Sequence, residues 1–417
     1  MNEFIYLLFF SAIVLYIGIR ERQKIDRNIQ KIPTRILVNG IRGKSTVTRL
    51  IMGIIKEDEQ RVAGKTTGTS PRLFYWDQEE KDPITRSLQG PNISEQKLIM
   101  NRVCRKGVDA LVTECMAVNP EYQDVFQERF VKANITIITN IMEDHLDVMG
   151  PTEQQIAEAF AKTIPTNGHL VIPPTKYQRF LTKIAKRRGT KVVLADISRV
   201  DDEYVNSFPF MMFPQNIALG LAVADILNID EEVALKGMLH APVDPGAMRI
   251  HSFGKETAPS FFFNGFAAND ATSTINIWNR IKESEYPCDN KVVIMNCRDD
   301  RVERTIQFAE EVLPLLHMDT LILMGRAVGP IVDAVEDGTI PVRQLINLEK
   351  HTTEQVMEEI KLLPSKSIIY GIGNIHGGGQ ELANEIEKLN LLTYENKGQF
   401  PKVPSMKPER QVAQSTN

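Results

Sequence analysis

The sequence predicts an α/β protein with two domains, each built on a mainly parallel sheet. Two series of short apolar runs alternate with helical patterns, one before and one after the Pro- and Gly-containing segment 241-APVDPGAMRI-250. The 417 residues, 42% hydrophobic and 24% charged, suffice for two cores and are too apolar for a disordered chain. We therefore expect domains at 33–245 and 250–395, followed by a flexible tail at 396–417 that lacks apolar periodicity.

An uncharged stretch, 4-FIYLLFFSAIVLYIGI-19, lies near the start of the sequence and is followed at once by basic residues. As a helix it would cover about 24 Å, a little less than the roughly 30 Å hydrocarbon core of a bilayer. A signal peptide carries its basic residues before the apolar run, so the order here predicts a retained single-pass anchor at 1–22. The basic cluster predicts that the rest of the chain is cytoplasmic, at the cell membrane. An interfacial or buried helix is the alternative.

Charge and cysteine content argue against two classes of protein. The formal net charge of -4 provides no field that would gather nucleic acid. Four cysteines are too few for a disulfide framework and have no metal-ligand spacing, so we interpret them as buried thiols in a reducing compartment.

The predicted strands follow directly from the apolar runs. In the first domain they are 35-RILV-38, 110-ALVT-113, 135-ITIIT-139, 169-HLVI-172 and 192-VVLA-195. In the second they are 260-SFFF-263, 291-KVVIMN-296, 320-TLILMG-325 and 367-SIIYG-371.

A glycine-rich loop lies between the first strand and the helical pattern 47-VTRLIMGII-55. In 39-NGIRGKST-46, Gly40 and Gly43 are separated by two residues, where the usual phosphate loop has four. Backbone N–H groups at a strand-to-helix turn favour a phosphate, which Lys44 would reach while Ser45 or Thr46 held Mg²⁺. An incidental glycine turn is the alternative.

Polar residues close two later strands of the same sheet. Glu114 directly follows 110-ALVT-113, and 140-NIMEDHLD-147 follows 135-ITIIT-139. Carboxyl ends of parallel strands share one crevice, so Glu114 and His145 would lie near the phosphate loop as Mg²⁺ ligands. A solvated helix N-cap is the alternative for the DHLD tetrapeptide.

These motifs, in this order, resemble the Mur ligase and folylpolyglutamate synthetase superfamily over roughly residues 33–395. The resemblance implies a central P-loop ATPase domain and a smaller Rossmann-like C-terminal domain. It also implies an ADP-forming amide ligase that uses ATP and Mg²⁺, with Mn²⁺ as a substitute, and proceeds through an acyl phosphate. In such a ligase the second domain would close over the crevice to exclude water.

The resemblance extends to single residues of the first domain. Lys162 is similar to a carbamylated lysine that helps bind a second Mg²⁺, and 65-KTTGTS-70 is similar to a loop that places Thr67 at the metal and Thr69 at the substrate. Asn216 is similar to an asparagine near adenine, and Arg249 to an arginine that reaches the nucleotide phosphates. The implied metal ligands are Ser45, Thr67, Glu114, His145 and Lys162, and the implied catalytic residues are Lys44, Glu114, His145 and Lys162.

The second domain provides weaker matches. The segment 264-NGFAAND-270 resembles a nucleotide-contact motif, with Asn264 where aspartate is common and Asn269 near its end. Arg298 and Arg301, in 298-RDDR-301, have the charge and fork geometry to bind glutamate carboxylates, although a solvated turn would look the same. The glycines of 371-GIGNIHGGG-379 indicate a strand-to-helix turn near the crevice, where His376 is a candidate substrate contact.

Two features narrow the resemblance: a predicted anchor stands where other members have a domain for nucleotide-linked precursors, and the chain contains 296-NCRDDR-301. With these features the sequence resembles the ligase subunits of bacterial poly-gamma-glutamate synthases. This resemblance implies polymerisation of glutamate onto a growing chain, with other membrane subunits of an export complex as partners; homo-oligomerisation stays open. Two alternatives are a folate-type polyglutamylating ligase and a membrane-tethered P-loop ATPase that drives a partner complex.

Overall fold

The computed structural model describes residues 2–67, 71–78, 82–84, 93–143, 146–208, 210–243, 248, 250–255, 257–268, 270–283, 286 and 288–389. The chain folds as two compact units. Unit 1 comprises Met1–Val205 and Met212–Pro245, and unit 2 comprises Asn206–Met211 and Gly246–Asn417. The predicted flexible tail at 396–417 lies outside the described residues.

The described residues of unit 1 contain an eight-stranded sheet in the order β4-β3-β2-β5-β1-β6-β7-β8. Its strands are β1 Thr34–Asn39, β2 Val62–Thr66, β3 Arg72–Tyr75, β4 Asp82–Pro83, β5 Ala110–Glu114, β6 Ile135–Ile138, β7 His169–Ile172 and β8 Lys191–Leu194. All neighbours pair in parallel except β2 with β3 and β3 with β4, which are antiparallel. The predicted parallel sheet is therefore correct for its centre, while its edge is mixed.

Helices pack on this sheet, and two of them are buried on all sides in their central turns. The helices are α1 Asn2–Gln30, α2 Lys44–Glu57, α3 Ile93–Lys106, α4 Pro120–Val125, α5 Leu146–Met149, α6 Glu153–Ala161, α7 Gln178–Arg187, α8 Asp202–Asn206, α9 Pro214–Leu227 and α10 Glu231–Leu239. A π-helical segment, Phe126–Val131, continues α4. Helix α2 buries its residues from Val47 to Ile55, and α9 buries those from Ile217 to Ala224.

Unit 2 contains a six-stranded sheet in its described residues, in the order β13-β12-β11-β14-β10-β9. The strands are β9 Ile250–Lys255, β10 Ala258–Asn264, β11 Asn290–Cys297, β12 Thr320–Gly325, β13 Gln344–Glu349 and β14 Ser367–Gly373. The helices are α11 Ala271–Glu283, α12 Val302–Gln307, α13 Gly329–Glu336, α14 Thr353–Leu362 and α15 Gly379–Lys388. Only β9 pairs antiparallel, so this is the Rossmann-like arrangement that the sequence predicts.

Helix α1 has two different halves. From Tyr6 to Ile19 its side chains are exposed, whereas Ile29 is buried and the amide of Asn28 donates to Oδ1 of Asn101 on α3 at 2.6 Å. In the part of the chain that the structure describes, no helix combines the length and the apolar character needed to cross a membrane. The predicted spanning anchor is therefore not confirmed.

Candidate active site

The glycine-rich loop joins β1 to α2, and its backbone requires glycine at two positions. Gly40 has φ 125° and Gly43 has φ 82°, values that residues with a side chain rarely adopt. A Cβ atom on Gly40 would also lie 2.9 Å from the backbone nitrogen of Thr139, and one on Gly43 would lie 3.0 Å from Oδ1 of Asn216. The loop therefore brings backbone N–H groups to the amino end of the 14-residue helix α2, which suits a phosphate.

Asn140 holds this loop from the end of the neighbouring strand β6. Its Oδ1 accepts hydrogen bonds from the backbone nitrogens of Ile41 at 3.2 Å and Arg42 at 3.0 Å, and its Nδ2 donates to the carbonyl of Arg42 at 3.0 Å. The hydroxyl of Thr139 donates to the same carbonyl at 2.7 Å. Because β6 pairs with β1, the strand register fixes where the loop begins. The protein's own hydrogen bonds thus set the loop conformation.

Lys44 begins α2 and folds back over the loop. Its Nζ donates to the carbonyls of Gly40 at 2.7 Å and Ile41 at 2.9 Å. Ser45 and Thr46 follow in the first helical turn and are half-buried. The ammonium group therefore stays next to the loop, within reach of a phosphate bound there.

Glu114 ends β5, beside the loop strand β1, where Val38 is its register partner. The residue is 1% exposed, and its Oε2 accepts from the backbone nitrogen of Thr67 at 3.0 Å and from the Thr67 hydroxyl at 2.6 Å. Its Oε1 is buried and has no hydrogen-bond partner among the described residues. A buried carboxylate oxygen without a donor is energetically costly. A cation at this oxygen would offset that cost.

The surroundings of Glu114 are low in dielectric. Burial raises the pKa of the adjacent Cys115 thiol to about 11, although the positive charges of Lys44 and Lys65 oppose the shift. Lys65 is itself 1% exposed, and its ammonium lies 5.9 Å from the ring centroid of Phe126. Charges buried in this way interact more strongly than they would in water.

The other described residues predicted for this site lie at the same end of the sheet. Asn216 is in the first turn of α9 beside Gly43. Lys162 follows α6 and is half-buried, next to Thr163. The Thr163 hydroxyl accepts from Nδ2 of Asn39 at 3.4 Å, and Oδ1 of Asn39 accepts from the backbone nitrogen of Gly40 at 2.9 Å. This chain of contacts connects the segment of Lys162 to the phosphate loop.

Four predicted site residues lie outside the described residues: Thr69, His145, Arg249 and Asn269. Their roles stay predictions. The hydrogen bonds of Asn39 and Asn140 to the loop were not predicted from the sequence, although both asparagines stand at strand ends.

The donor set at this site fits a hard divalent cation. In the residues that the structure describes, no group of three or more His, Cys, Asp or Glu side chains could hold a metal. Mg²⁺ needs no such group, since it usually keeps several waters and takes one or two carboxylates. The described oxygens of suitable type are Oε1 of Glu114 and the hydroxyls of Ser45 and Thr67.

Unit 2 has a cluster of three arginines beyond the carboxyl end of β11. Burial lowers the pKa of Arg304, and the positive charges of Arg301 and Arg298 lower it further. Arg304 donates to Oδ1 of Asn374 at 2.7 Å, and Arg298 donates to Asp300 at 2.7 Å. An anion bound here would relieve the repulsion between the arginines.

Asn296 joins this cluster to the loop after β14. Its Nδ2 donates to the carbonyls of Asn374 at 2.6 Å and His376 at 3.0 Å. Its Oδ1 is buried and has no hydrogen-bond partner in the described part of the chain. Strands β11 and β14 are adjacent where the strand order reverses, the usual place for a ligand in an open α/β sheet. Arg298, Arg301 and His376 were predicted from the sequence, whereas Arg304 was not.

Asn264 ends β10, where its register partner on β14 is Gly371. Its Oδ1 is buried and has no hydrogen-bond partner among the residues that the structure describes. The predicted nucleotide contact of Asn264 stays a prediction.

Comparison with known proteins places both units in named families. Residues 38–240 match the Mur ligase middle domain, and residues 250–389 match the poly-gamma-glutamate synthase CapB C-terminal domain. The chain is 52% identical over 385 residues to the PGA synthase CapB of Bacillus subtilis (strain 168), covering 92% of this chain and 98% of that protein. The chain belongs to the CapB family. A second CapB, the capsule biosynthesis protein of Bacillus anthracis, is 46% identical, covering 90% of this chain and 81% of that protein.

Solved structures show the same fold at low sequence identity. MurF from Acinetobacter baumannii matches with a TM-score of 0.60 and 15% identity, covering 88% of this chain and 79% of that one. A bifunctional folylpolyglutamate synthase/dihydrofolate synthase matches with a TM-score of 0.59 and 14% identity, covering 88% and 92%. The CapB family chain therefore has the fold of Mur ligases and folylpolyglutamate synthases, as the sequence predicts.

Proposed function

We propose that this CapB-family chain is an ATP-dependent amide ligase that polymerises glutamate into poly-gamma-glutamate. The observation that carries the proposal is the pairing of a fixed phosphate loop with the buried, partly unpartnered carboxylate of Glu114 on the adjacent strand. A loop alone would fit any phosphate-binding protein. The carboxylate beside it suits a metal-dependent phosphoryl transfer.

The same site supports ATP and a divalent metal as the groups that this chain binds. The folylpolyglutamate synthase that shares this fold was solved with Mn, AMPPNP and L-glutamate bound. We propose Mg²⁺ as the metal of this chain, held by Glu114 and by the hydroxyls of Ser45 and Thr67, with His145 and a carbamylated Lys162 completing a second site. Bound there, the metal would neutralise charge on the transferring phosphoryl group.

The chain's own residues would act mainly by positioning and by charge. The γ-carboxylate of the terminal glutamate attacks the γ-phosphate of ATP; a carboxyl O–P bond forms, the bond to the β-phosphate oxygen breaks, and ADP leaves. The amine of the next glutamate then attacks the acyl carbon, the C–O bond breaks, and phosphate and a proton are released. Lys44 would stabilise the charge that develops on the phosphates, and the buried surroundings of Glu114 would keep water from the acyl phosphate.

Unit 2 would supply a site that binds the carboxylate groups of the substrate. Arg298 and Arg301 present guanidinium groups beyond β11, and such forks bind carboxylates with two parallel hydrogen bonds. Arg304, which is hydrogen-bonded to Asn374, would not touch the substrate. Its positive charge would repel Arg298 and Arg301 and so influence where their guanidinium groups lie. We assign this cluster to glutamate or to the growing chain, together with His376.

We also propose that the exposed apolar half of α1 attaches the enzyme to the cytoplasmic face of the cell membrane. Large apolar side chains are exposed there, with Phe10 at 62% and Val14 at 69%. Exposure of so many large apolar groups in water is unfavourable and is typical of a surface that contacts lipid or another protein. Membrane subunits that export the polymer would be the partners of such an enzyme.

The proposal is tested by measuring labelled glutamate in acid-insoluble polymer, made by membranes that carry the full chain and its partner subunits. Lys44→Ala should lower incorporation by roughly 100-fold or more, because one charge-stabilising group is worth about that much. Lys56→Ala is the matched control, since it removes an exposed lysine from the other end of the same helix.

ADP rather than AMP should form in step with polymer. ATP hydrolysis without any amide product in assembled membranes would contradict the proposal and favour an ATPase that drives a partner. Transfer of label to a soluble folate would favour the folate-type ligase.

A further inference from the structure

A cavity of about 360 Å³ lies where α1 enters the body of unit 1. Three elements line it: the second half of α1, helix α3 and the segment that follows α4. Its lining is Gly18, Glu21, Arg22, Ile25, Asp26, Lys97, Arg129, Phe130 and Lys132. This volume is within the range of about 300 to 1,000 Å³ that small-molecule sites occupy.

The lining carries an excess of positive charge. Four cations face two carboxylates, and two of the cations are already paired: Lys97 with Glu21, and Lys132 with Asp26, the latter at 2.6 Å. Arg22 and Arg129 have no ion pair within the described residues. Two guanidinium groups without carboxylate partners therefore line one cavity, and their fork geometry matches the oxygens of a phosphate.

The cavity also overlaps the end of the exposed apolar run of α1, since Gly18 is part of its lining. Ile19 is the last residue of the apolar run, and Arg22 follows three positions later on the same helix. At about 1.5 Å per residue, Arg22 lies roughly 5 Å further along the helix axis. The polar layer on each side of a bilayer is about 5 to 8 Å thick. If the apolar half of α1 enters the hydrocarbon region, the cavity falls at the depth of the lipid phosphates.

We propose that this cavity binds the phosphate headgroup of an anionic phospholipid. Arg22 and Arg129 contact the phosphate oxygens, while Ile25 and Phe130 contact the less polar glycerol region. The proposal rests on the membrane attachment of α1 proposed above and is independent of the ligase chemistry. Inorganic phosphate presents the same oxygens and is the other source of such a ligand, so the experiment separates the two.

The test is flotation of the full chain with vesicles of phosphatidylcholine alone or of phosphatidylcholine mixed with phosphatidylglycerol. The wild type should bind both and should prefer the anionic vesicles. Arg22→Gln combined with Arg129→Gln should keep binding to neutral vesicles and lose most of that preference, on the order of tenfold, because each basic group near an anionic surface contributes several-fold.

Arg179→Gln combined with Arg187→Gln is the matched control. It removes the same charge from exposed positions on α7, outside the cavity, and should leave the preference nearly intact. Thermal unfolding of both double variants checks that they fold.

Several outcomes would overturn the assignment. Equal losses in the two double variants would mean general surface attraction instead of a site. Saturable binding of inorganic phosphate to detergent-solubilised wild type, lost in the Arg22/Arg129 variant without any change in flotation, would assign the cavity to free phosphate. Soluble poly-gamma-glutamate bound in the same pattern would assign it to the polymer.

Absence of binding to either vesicle would reject the membrane attachment, and the headgroup site with it. Glutamate incorporation measured on the same preparation reports on the ligase function separately.

Discussion

The two candidate ligand sites of this chain are built in different ways. In unit 1 the loop is fixed by backbone contacts and by Asn140, and the adjacent Glu114 is 1% exposed. In unit 2 Arg301 lies in a short helical turn, Asp299–Arg301, and its side chain is exposed. The first candidate site offers preorganised geometry at low dielectric, and the second offers charge that solvent screens. Substitutions should therefore cost much more in unit 1 than in unit 2.

Together with Lys44→Ala, the largest effect is expected from Glu114→Gln. The amide keeps an oxygen for Thr67 but removes the negative charge that a divalent metal requires, so incorporation of glutamate should fall by about 100-fold. The measurement is initial rate against Mg²⁺ concentration, together with thermal unfolding of the metal-free protein.

Glu128→Gln, which removes an exposed carboxylate paired with Arg188, is the control and should behave like the wild type. A normal rate and a normal Mg²⁺ dependence of the Glu114→Gln enzyme would show that the Glu114 carboxylate does not bind the metal.

Asn140→Ala should raise KM for ATP by about tenfold, because two loop N–H groups lose a shared acceptor worth roughly 1 to 2 kcal/mol. Its matched control is Asn134→Ala. Asn134 stands before the other end of β6, where it accepts from the backbone nitrogen of Arg35 at 2.9 Å and donates to the carbonyl of Pro33 at 2.7 Å. Both variants should lose comparable stability, but only Asn140→Ala should weaken the binding of ATP and so raise its KM. Equal KM values would show that Asn140 has a structural role alone.

The thiol of Cys115 can be used to measure whether water is excluded from the candidate site in unit 1, as its burial indicates. Its folded pKa is raised from 9.0 to about 11, so the unfolded chain loses the thiol proton first as the pH rises. Stability from this group is fully present below pH 9 and is lost between about pH 9 and 11. Cys115→Ala should remove about 1 to 2 kcal/mol of the alkaline loss of stability, since one pKa unit corresponds to about 1.4 kcal/mol.

The measurement is the free energy of unfolding in urea at pH 8 and at pH 10.5. An identical drop in wild type and variant would mean that the Cys115 thiol is accessible to water.

The smallest effect is expected from Arg301→Gln in unit 2. KM for glutamate should rise about threefold at low salt and less at high salt, because an exposed charge contributes below about 1 kcal/mol and is screened. KM for ATP should not change. Arg343→Gln removes an arginine that is 87% exposed and precedes β13, at the other end of the sheet, and serves as control. A loss as large as that of Glu114→Gln would show that the two sites are not as different as their burial indicates.

Much of the fold could be predicted from the sequence because buried parallel strands consist of continuous apolar residues. β5, β6, β11 and β14 all coincide with predicted runs. β2 was missed because it contains Lys65, a charged side chain that only its tertiary surroundings bury. β13, with the sequence QLINLE, was missed because it lies at the edge of its sheet and has only three apolar residues, without a continuous apolar run or a strict alternation.

The candidate site also has parts that the sequence predicts and parts that only the tertiary structure shows. The spacing of Gly40, Gly43 and Lys44 after a strand is a local pattern, so the sequence alone predicted the glycine-rich loop between strand and helix, and the strand-end position of Glu114 indicated a second part of the candidate site. Only the tertiary structure decided that Thr67 holds one oxygen of Glu114, that Asn140 fixes the loop, and that Arg304 joins the arginines to Asn374. Those partners are separated by 47, 98 and 70 positions in the chain. Contacts of this range depend on strand order and register, which local patterns do not encode.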